Sequence, residues 1–265
     1  IVVDNDPGDN TKFSTCYKFP NVTVIKNNSN SGFAVACNQG ADKAKGTYLL
    51  FLNPDTIVHS GTLDNAVSFM ESNSRPGVMG CRTLNSDGTL QISARKFPTL
   101  LRIFGNISGW SRQLKFTSRR TRIPVHPDYI QGSFLLIPSE LFRELDGFDE
   151  QFFFYGEDVD LCIRVRDTGG ILNYDNKSVV THIGGGTCSD SSFLTTQFIS
   201  CYYKLYRKYR NERQVKRLKF ILRFAIWIRF YISPNIFYLN SQKQKDYRNF
   251  KDLLNRLEIN YKVKY

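Results

Sequence analysis

The 265-residue sequence holds no G-x-G-x-x-G, no G-x-x-x-x-G-K-[ST] and no G-x-S-x-G. A nicotinamide dehydrogenase, a P-loop enzyme and a nucleophile-elbow hydrolase are therefore disfavoured, because each needs that backbone at its reacting group. The six cysteines, at 16, 37, 81, 162, 188 and 201, include no C-x-x-C pair. Neither a zinc framework nor a disulfide scaffold is indicated, and dispersed thiols fit a reducing, cytoplasmic setting. No run of 18 uncharged apolar residues could cross a bilayer as one helix. No internal repeat is evident.

Acidic residues are scarce in one region only. From Tyr202 to Tyr265 there are seventeen Lys/Arg against four Asp/Glu, although the whole chain carries only +12. A near-neutral body thus bears a strongly basic tail, and the charge speaks for the partner of the tail.

Short apolar runs alternate with helical patterns through the body. "IVVDN" (1–5), "VTVIKN" (22–27) and "TYLLFLN" (47–53) read as strands, and "SGFAVACNQGADKAKG" (31–46) as a helix stopped by glycine. "SGTLDNAVSFMESN" (60–73) predicts a helix with Leu63, Ala66, Val67 and Met70 on one face. "GVMGCRTLNSDGTL" (77–90) predicts a strand and a hairpin turned at Asp87-Gly88. "YIQGSFLLIP" (129–138) reads as one strand, with Ser139 as N-cap of the next helix. "EDVDLCIRVRDTGG" (157–170) is a glycine-closed helix, and "ILNYDNKSVVTH" leads to a strand ending at His182. Residues 96–128 look loop-like. The plan is α/β with a mostly parallel sheet flanked by helices. The chain opens on Ile1 in mid-strand, so an upstream segment is expected.

In such sheets ligands bind beyond the carboxyl ends of strands. Asp4, Asn53-Pro54-Asp55 and His182 each end a predicted strand and would face one crevice. Pro54 cannot donate to a ladder, so it stops its strand and hands Asp55 to the rim. The plain alternative is an ordinary polar turn. A second cluster, Glu157, Asp158 and Asp160, opens a helix behind the aromatic run "FDEQFFFYG". Acids there stabilise a helix start, yet three in four positions exceed what capping needs, and one could act as a general base.

"VVDN", "NSGFAVACNQG", "YLLFLNPDT", "SDGT", "FP", "IQGSFLLIP", "LDGFDEQFFFYGEDVDLCIRVRDTGG" and "VVTHIGGGT" occur in that order. The series resembles glycosyltransferase family 2, of GT-A (Rossmann-like) fold, and within it the rhamnosyltransferase-like branch. The resemblance covers about residues 1–190, leaving 191–265 as a basic, aromatic-rich helical region. It implies an inverting transfer of a sugar from a nucleotide-diphosphate donor, dTDP-rhamnose by branch, to a glycan or lipid-linked glycan in surface polysaccharide synthesis. By position, Asp4 resembles the aspartate that hydrogen-bonds the nucleotide base. Asn53 and Asp55 stand at the D-x-D-like position, with Asp55 implied as ligand to Mg²⁺ or Mn²⁺. Asp158 resembles the catalytic base, with Glu157 beside it. His182 resembles a residue completing the metal or diphosphate site, and Gly132 and Ser133 fall where donor sugar and acceptor meet. The family's first strand and helix have no counterpart here, and Asn53 replaces the first carboxylate.

The helix start is expected to keep Asp158 ionised and ready to accept a proton. A glycosidase also pairs two carboxylates but needs no nucleotide site. "RQVKRLKFILRFAIWIRFYIS" (213–233) suits a helix lying in an anionic membrane surface, on the inner face of the cell membrane. Its aromatics could instead pack on the body or a second subunit. A non-enzymatic nucleic-acid- or membrane-binding protein on a degenerate GT-A scaffold, suggested by "YYKLYRKYR" (202–210), is the alternative reading; nucleic acid is not expected.

Overall fold

The computed structural model describes residues 1–6, 8, 19–73, 75–108, 126–184, 191–231, 249–250 and 252–255. Two compact units are present, Ile1–Phe97 with Thr121–Thr187, and Pro98–Arg120 with Cys188–Tyr265. The first contains β1 (Val2–Asp4), β2 (Val24–Lys26), α1 (Phe33–Lys43), β3 (Tyr48–Leu52), β4 (Thr56–Val58), α2 (Thr62–Glu71), β5 (Gly77–Leu84), β6 (Leu90–Gln91) and β7 (Ala94–Arg95). After α3 (Leu100–Ser108), which belongs to the second unit, follow β8 (Tyr129–Ile130), β9 (Phe134–Pro138), α4 (Ser139–Glu144), α5 (Glu157–Asp167) and β10 (Ile171–His182). The second unit continues with α6 (Ser191–Tyr209) and α7 (Glu212–Tyr231).

The central sheet runs β3-β9-β5-β10-β4, with β6 paired to β5. The α/β plan stands, but the expected mostly parallel sheet is corrected to a mixed one. Here β10 runs parallel to β5, whereas β9 is antiparallel to both β3 and β5, and β4 antiparallel to β10. The reason is local. "YIQGSFLLIP" is not one strand: it breaks at a turn at Gly132-Ser133. The chain therefore re-enters the sheet at the end where β3 leaves it, and β9 must run the other way.

Both faces of β9 are buried, which accounts for its unbroken apolar run. Leu135 and Ile137 join Leu49, Phe51, Phe142, Phe148, Leu161 and Val165 on one side. Phe134 and Leu136 join Ala66, Met70, Met79 and Val180 on the other. The Phe51, Phe142 and Phe148 rings stand 4.8–5.3 Å apart at tilted or edge-on angles, worth about 0.5–1.5 kcal/mol per pair beyond burial. In α2 the apolar stripe and the buried face do not coincide. Thr62, Ala66 and Met70 are buried, whereas Leu63 and Val67 are exposed. Thr62 goes inward because its hydroxyl donates to the Val179 carbonyl at 2.7 Å, rotating the helix away from its most apolar stripe. Ser139 is the first helical residue rather than the cap: Pro138 precedes the helix, and the Ser139 hydroxyl donates to the Gly46 carbonyl.

In the second unit α3, α6 and α7 pack on one another through Ile103, Ile107, Ile199, Leu205, Leu218 and Leu222. Part of the segment expected as loop is thus the helix α3, and residues 109–125 lie outside the described residues, as do Cys16, Cys188, Gly185, Gly186 and the end of the 213–233 stretch. Tyr202, Tyr203 and Tyr206 of "YYKLYRKYR" are buried. These rings are core, not a stacking platform for bases.

Candidate active site

Everything turns on the Gly132-Ser133 turn. The Ser133 carbonyl accepts from the Asn53 backbone N–H at 3.3 Å. One residue earlier, the Gly132 N–H donates to Asp158 Oδ2 at 3.2 Å. The end of β3 and the start of α5, far apart in sequence, therefore meet on two consecutive residues. A Cβ at Gly132 would meet Phe33 at 3.8 Å and Asp158 at 3.9 Å, ordinary van der Waals contacts, so the backbone hydrogen bond rather than a missing side chain brings the two together. The Ser133 hydroxyl is buried without a hydrogen-bond partner, as is Glu157 Oε2.

The start of α5 is bent into place. Tyr155 and Gly156 both take left-handed conformations, with φ of 69° and 101°. For a tyrosine this costs on the order of 1–3 kcal/mol, a strain that collects at functional sites. Upstream, Phe153 is clamped on α1, its carbonyl accepting from Phe33 N–H at 2.8 Å. Gly32 makes this possible: its φ is 91°, and a Cβ would sit 2.7 Å from the same carbonyl oxygen.

Asp158 receives two backbone N–H groups, from Val159 at 2.8 Å and Gly132. Even so, burial pushes its carboxyl above the ordinary aspartate range. Burial thus works against the helix start, which favours the ionised form. Glu157, fully buried, is driven well above the glutamate range by burial and then by the charge of Asp158. Two acids so placed cannot both ionise cheaply, and the one with backbone donors on both oxygens is the natural anion. Glu157 is the carboxyl of the two that burial and its neighbour press further toward the neutral form.

A stability test follows. A carboxyl whose folded pKa is raised favours the fold fully below its unfolded pKa and loses that contribution as pH rises through the folded value. Glu157→Gln should therefore match the wild type in acid and melt several degrees higher at neutral and alkaline pH, in a thermal series across pH.

Asp160, the third acid, is fully buried and paired with Arg164 at 2.7 Å. Arg164 also donates to the carbonyls of Leu145 and Gly147, at 2.6 and 2.8 Å. This acid is structural. Its i,i+4 spacing to an arginine was the signal for it.

His182 and Asp55 are joined through backbone and side chain. The Ile183 N–H donates to the Asp55 carbonyl at 2.9 Å, and His182 pairs with Thr56 across β10 and β4. His182 Nε2 lies 3.2 Å from Asp55 Oδ1 and 3.3 Å from Asn53 Nδ2. That carboxylate oxygen is buried yet makes no aligned hydrogen bond. An orphaned carboxylate oxygen beside an imidazole nitrogen is a donor set that Mn²⁺ or Mg²⁺ fits. Among the described residues no three His, Cys, Asp or Glu side chains form such a group. Gln91, whose Oε1 is 2.8 Å from His182 Nδ1, was not anticipated, because no periodicity marks a polar residue in a two-residue strand.

Asp4 is buried at the end of β1 in a separate parallel pair with β2. Its carboxylate accepts from the Asp6 N–H at 2.9 Å. Neighbouring Asn5 joins Asn27, Ser31 and Gln39 in one polar network and donates to the Gly32 carbonyl, tying this end to α1.

The sequence model described as "Glycosyl transferase family 2" matches residues 1–145. The chain is 28% identical over 204 residues to the N-acetylglucosaminyl-diphospho-decaprenol L-rhamnosyltransferase of Mycobacterium tuberculosis, an alignment covering 69% of this chain and 65% of that protein. It is 31% identical over 128 residues to the rhamnosyltransferase WbbL of Escherichia coli, 48% of each. The chain thus spans less than two thirds of either relative. Among solved structures, GalNAc-T7 with UDP, GalNAc and Mn²⁺ superposes with a TM-score of 0.57 at 17% identity, over 99% of this chain and 52% of that one. The likeness is one of fold, the GT-A type.

Proposed function

The chain belongs to glycosyl transferase family 2, and from that premise we propose that it moves a sugar, with inversion, from a nucleotide-diphosphate donor to a hydroxyl of a glycan or lipid-linked glycan. The observation that supports the reading is the Gly132-Ser133 turn, whose Gly132 N–H donates to Asp158 and whose Ser133 carbonyl accepts from the Asn53 N–H. Inversion requires the acceptor oxygen and the departing diphosphate on opposite faces of the sugar, and we assign Asp158 to the acceptor side and Asp55 to the diphosphate side. The acceptor hydroxyl gives its proton to Asp158. Neutral Glu157 adds no second negative charge where that proton arrives. Asp4 is assigned to the nucleotide base. Asp55 Oδ1 and His182 Nε2 would hold Mg²⁺ or Mn²⁺, which when bound supplies positive charge against the leaving diphosphate. A rhamnosyl donor and a role in surface polysaccharide synthesis follow the relatives rather than the geometry.

The test is an incubation with a panel of nucleotide sugars, dTDP-rhamnose first, with and without Mn²⁺, reading released nucleoside diphosphate. Release from a nucleotide sugar with no cleavage of free glycans supports transfer. Cleavage of glycans alone would make the paired acids those of a glycosidase.

We assign the basic tail to an anionic membrane surface. Phe220, Phe224 and Trp227 of α7 stack along one exposed side, with centroids 5.9–6.2 Å apart. Beside them Leu100, Phe220 and Ile221 line an open apolar groove of about 660 Å³ together with Arg213, Lys216 and Arg217. Apolar rings with cations one turn away suit the headgroup layer, and each basic residue contributes about 1 kcal/mol on anionic lipid. No helix among the described residues is long and apolar enough to cross a membrane. Co-flotation with phosphatidylglycerol vesicles but not phosphatidylcholine vesicles is expected, lost in Phe220→Ser/Trp227→Ser. Equal flotation of wild type and variant removes the assignment.

A further inference from the structure

Resting on the reading of Asp55 and His182 as a cation-binding pair, we propose that the β5–β6 hairpin is a positioning element: a one-way hydrogen-bond chain from Asp87 through Thr89, Asn85 and Gln91 fixes His182 with its proton on Nδ1 and its lone pair on Nε2, beside Asp55.

The direction of the chain follows from its outer end. Asp87 accepts from Thr89 twice, from the hydroxyl at 2.6 Å and the N–H at 3.0 Å. Those hydrogen bonds hold its carboxyl below the ordinary aspartate range, so it is ionised and can only accept. The single hydroxyl proton of Thr89 is thereby spent on Asp87, and its oxygen must accept from Asn85 Nδ2, at 2.9 Å. Asn85 Oδ1 is then left to accept from Gln91 Nε2, also at 2.9 Å. The same Gln91 nitrogen leans on the His182 carbonyl at 3.5 Å. Both of its neighbours are acceptors, so the amide cannot be turned round without setting oxygen against oxygen. Gln91 Oε1 therefore faces His182 Nδ1, at 2.8 Å, and the shared proton belongs to the ring. On the far side Asn53 Nδ2, a donor, points at Nε2. Five side chains agree on one tautomer.

The backbone holds the chain in register. Asn85 and Thr89 close the turn through Asn85 N–H to the Thr89 carbonyl at 2.8 Å, and Gly88 supplies the φ of 79° that the turn needs. Gln91 pairs with Thr83 on β5, whose other edge carries β10 and hence His182. The device matters because His182 has a second acceptor within reach. Without Gln91, Asp55 Oδ1 at 3.2 Å is the better partner for a ring proton. A proton on Nε2 would then occupy both atoms offered to the cation. Gln91 keeps the pair open.

The chain contains three histidines, so imidazole ¹⁵N–¹H correlation spectra of the metal-free protein resolve the tautomer, with His182→Asn identifying the signal. Wild type should show Nδ1–H and a bare Nε2. Gln91→Leu should move the proton to Nε2 and weaken Mn²⁺ binding in the presence of UDP or dTDP by about 10–100-fold, the usual effect of losing a group that orients a metal ligand, read by the electron paramagnetic resonance of free Mn²⁺. Gln91→Glu retains an acceptor toward Nδ1 but sets an oxygen against Asn85 Oδ1 and the His182 carbonyl, so it should keep the Nδ1–H tautomer while loosening the hairpin. If Gln91→Leu does not fold, Asn85→Ala, which frees the Gln91 amide to rotate, should populate the Nε2–H form. An Nε2–H wild type, or a Gln91→Leu protein with unchanged tautomer, overturns the proposal. Failure of the wild type to take up Mn²⁺ with any nucleotide instead overturns the reading of Asp55 and His182, and the metal-free spectrum still decides the tautomer.

Discussion

Asp158→Asn is expected to lower sugar transfer by about 10²–10⁴-fold, the usual contribution of a positioned general base, while nucleotide-sugar binding survives. The substitution keeps the shape of the side chain and removes its basicity. It also has a local cost that the geometry makes explicit. Both carboxylate oxygens accept backbone N–H groups, from Val159 and Gly132, and the Asn amide nitrogen must face one of them. The affected donor is either Val159 at the helix start or Gly132 at the turn, so Tm should fall modestly along with turnover. Measuring nucleotide-sugar affinity beside turnover separates the two: a base removed from the site affects the rate, whereas a collapsed turn also abolishes binding. Because burial raises the Asp158 carboxyl, the acid limb of the wild-type rate profile should lie above the ordinary aspartate range. Near-wild-type turnover in the variant would remove the assignment.

Arg164→Met should strongly destabilise the first unit. Asp160 is completely buried and its charge is met by Arg164 at 2.7 Å, with the arginine itself largely covered. Removing one member of a buried pair leaves an uncompensated charge and costs about 3–5 kcal/mol. For a domain of this size that is a fall in Tm on the order of 6–20 °C. Two further hydrogen bonds go with it, to the carbonyls of Leu145 and Gly147. These two residues flank a turn in which Asp146 and Gly147 have φ of 59° and 69°. From the other side Asn38 clamps the next residue, accepting from Phe148 N–H and donating to its carbonyl, both at 2.9 Å. Asp160→Leu combined with Arg164→Met should recover most of the loss, because no charge is then stranded. The remainder measures the two carbonyl contacts. A single variant as stable as the wild type would show that water reaches Asp160, and that the pair is not the clasp described here.

Asp158 and Asp160 were alike on the page of the sequence: both are acids in the first turn of one helix. Their separation into a proposed base and a structural anion depends on what each meets across space, the Gly132 turn in one case and Arg164 in the other. Pro54 was more legible. A proline cannot donate to a ladder, and β3 ends at Leu52, two residues before Pro54. The hairpin at Asp87-Gly88 was equally legible, since glycine supplies the positive φ of the turn. Gln91 was not, because its role is carried by partners on β5, β10 and a turn rather than by its neighbours in sequence.

Properties carried by a few adjacent residues were readable from the chain: strand ends, the glycine-closed helix, the basic tail, and the ordered motifs that mark the family. Packing over long range settled the rest. It reversed β9, rotated α2 so that Thr62 went inward, and raised the carboxyls of Glu157 and Asp158 by drying them. Burial, tautomer and charge pairing depend on which groups lie a few ångströms away in space, and that is a property of the whole fold rather than of any stretch of the chain.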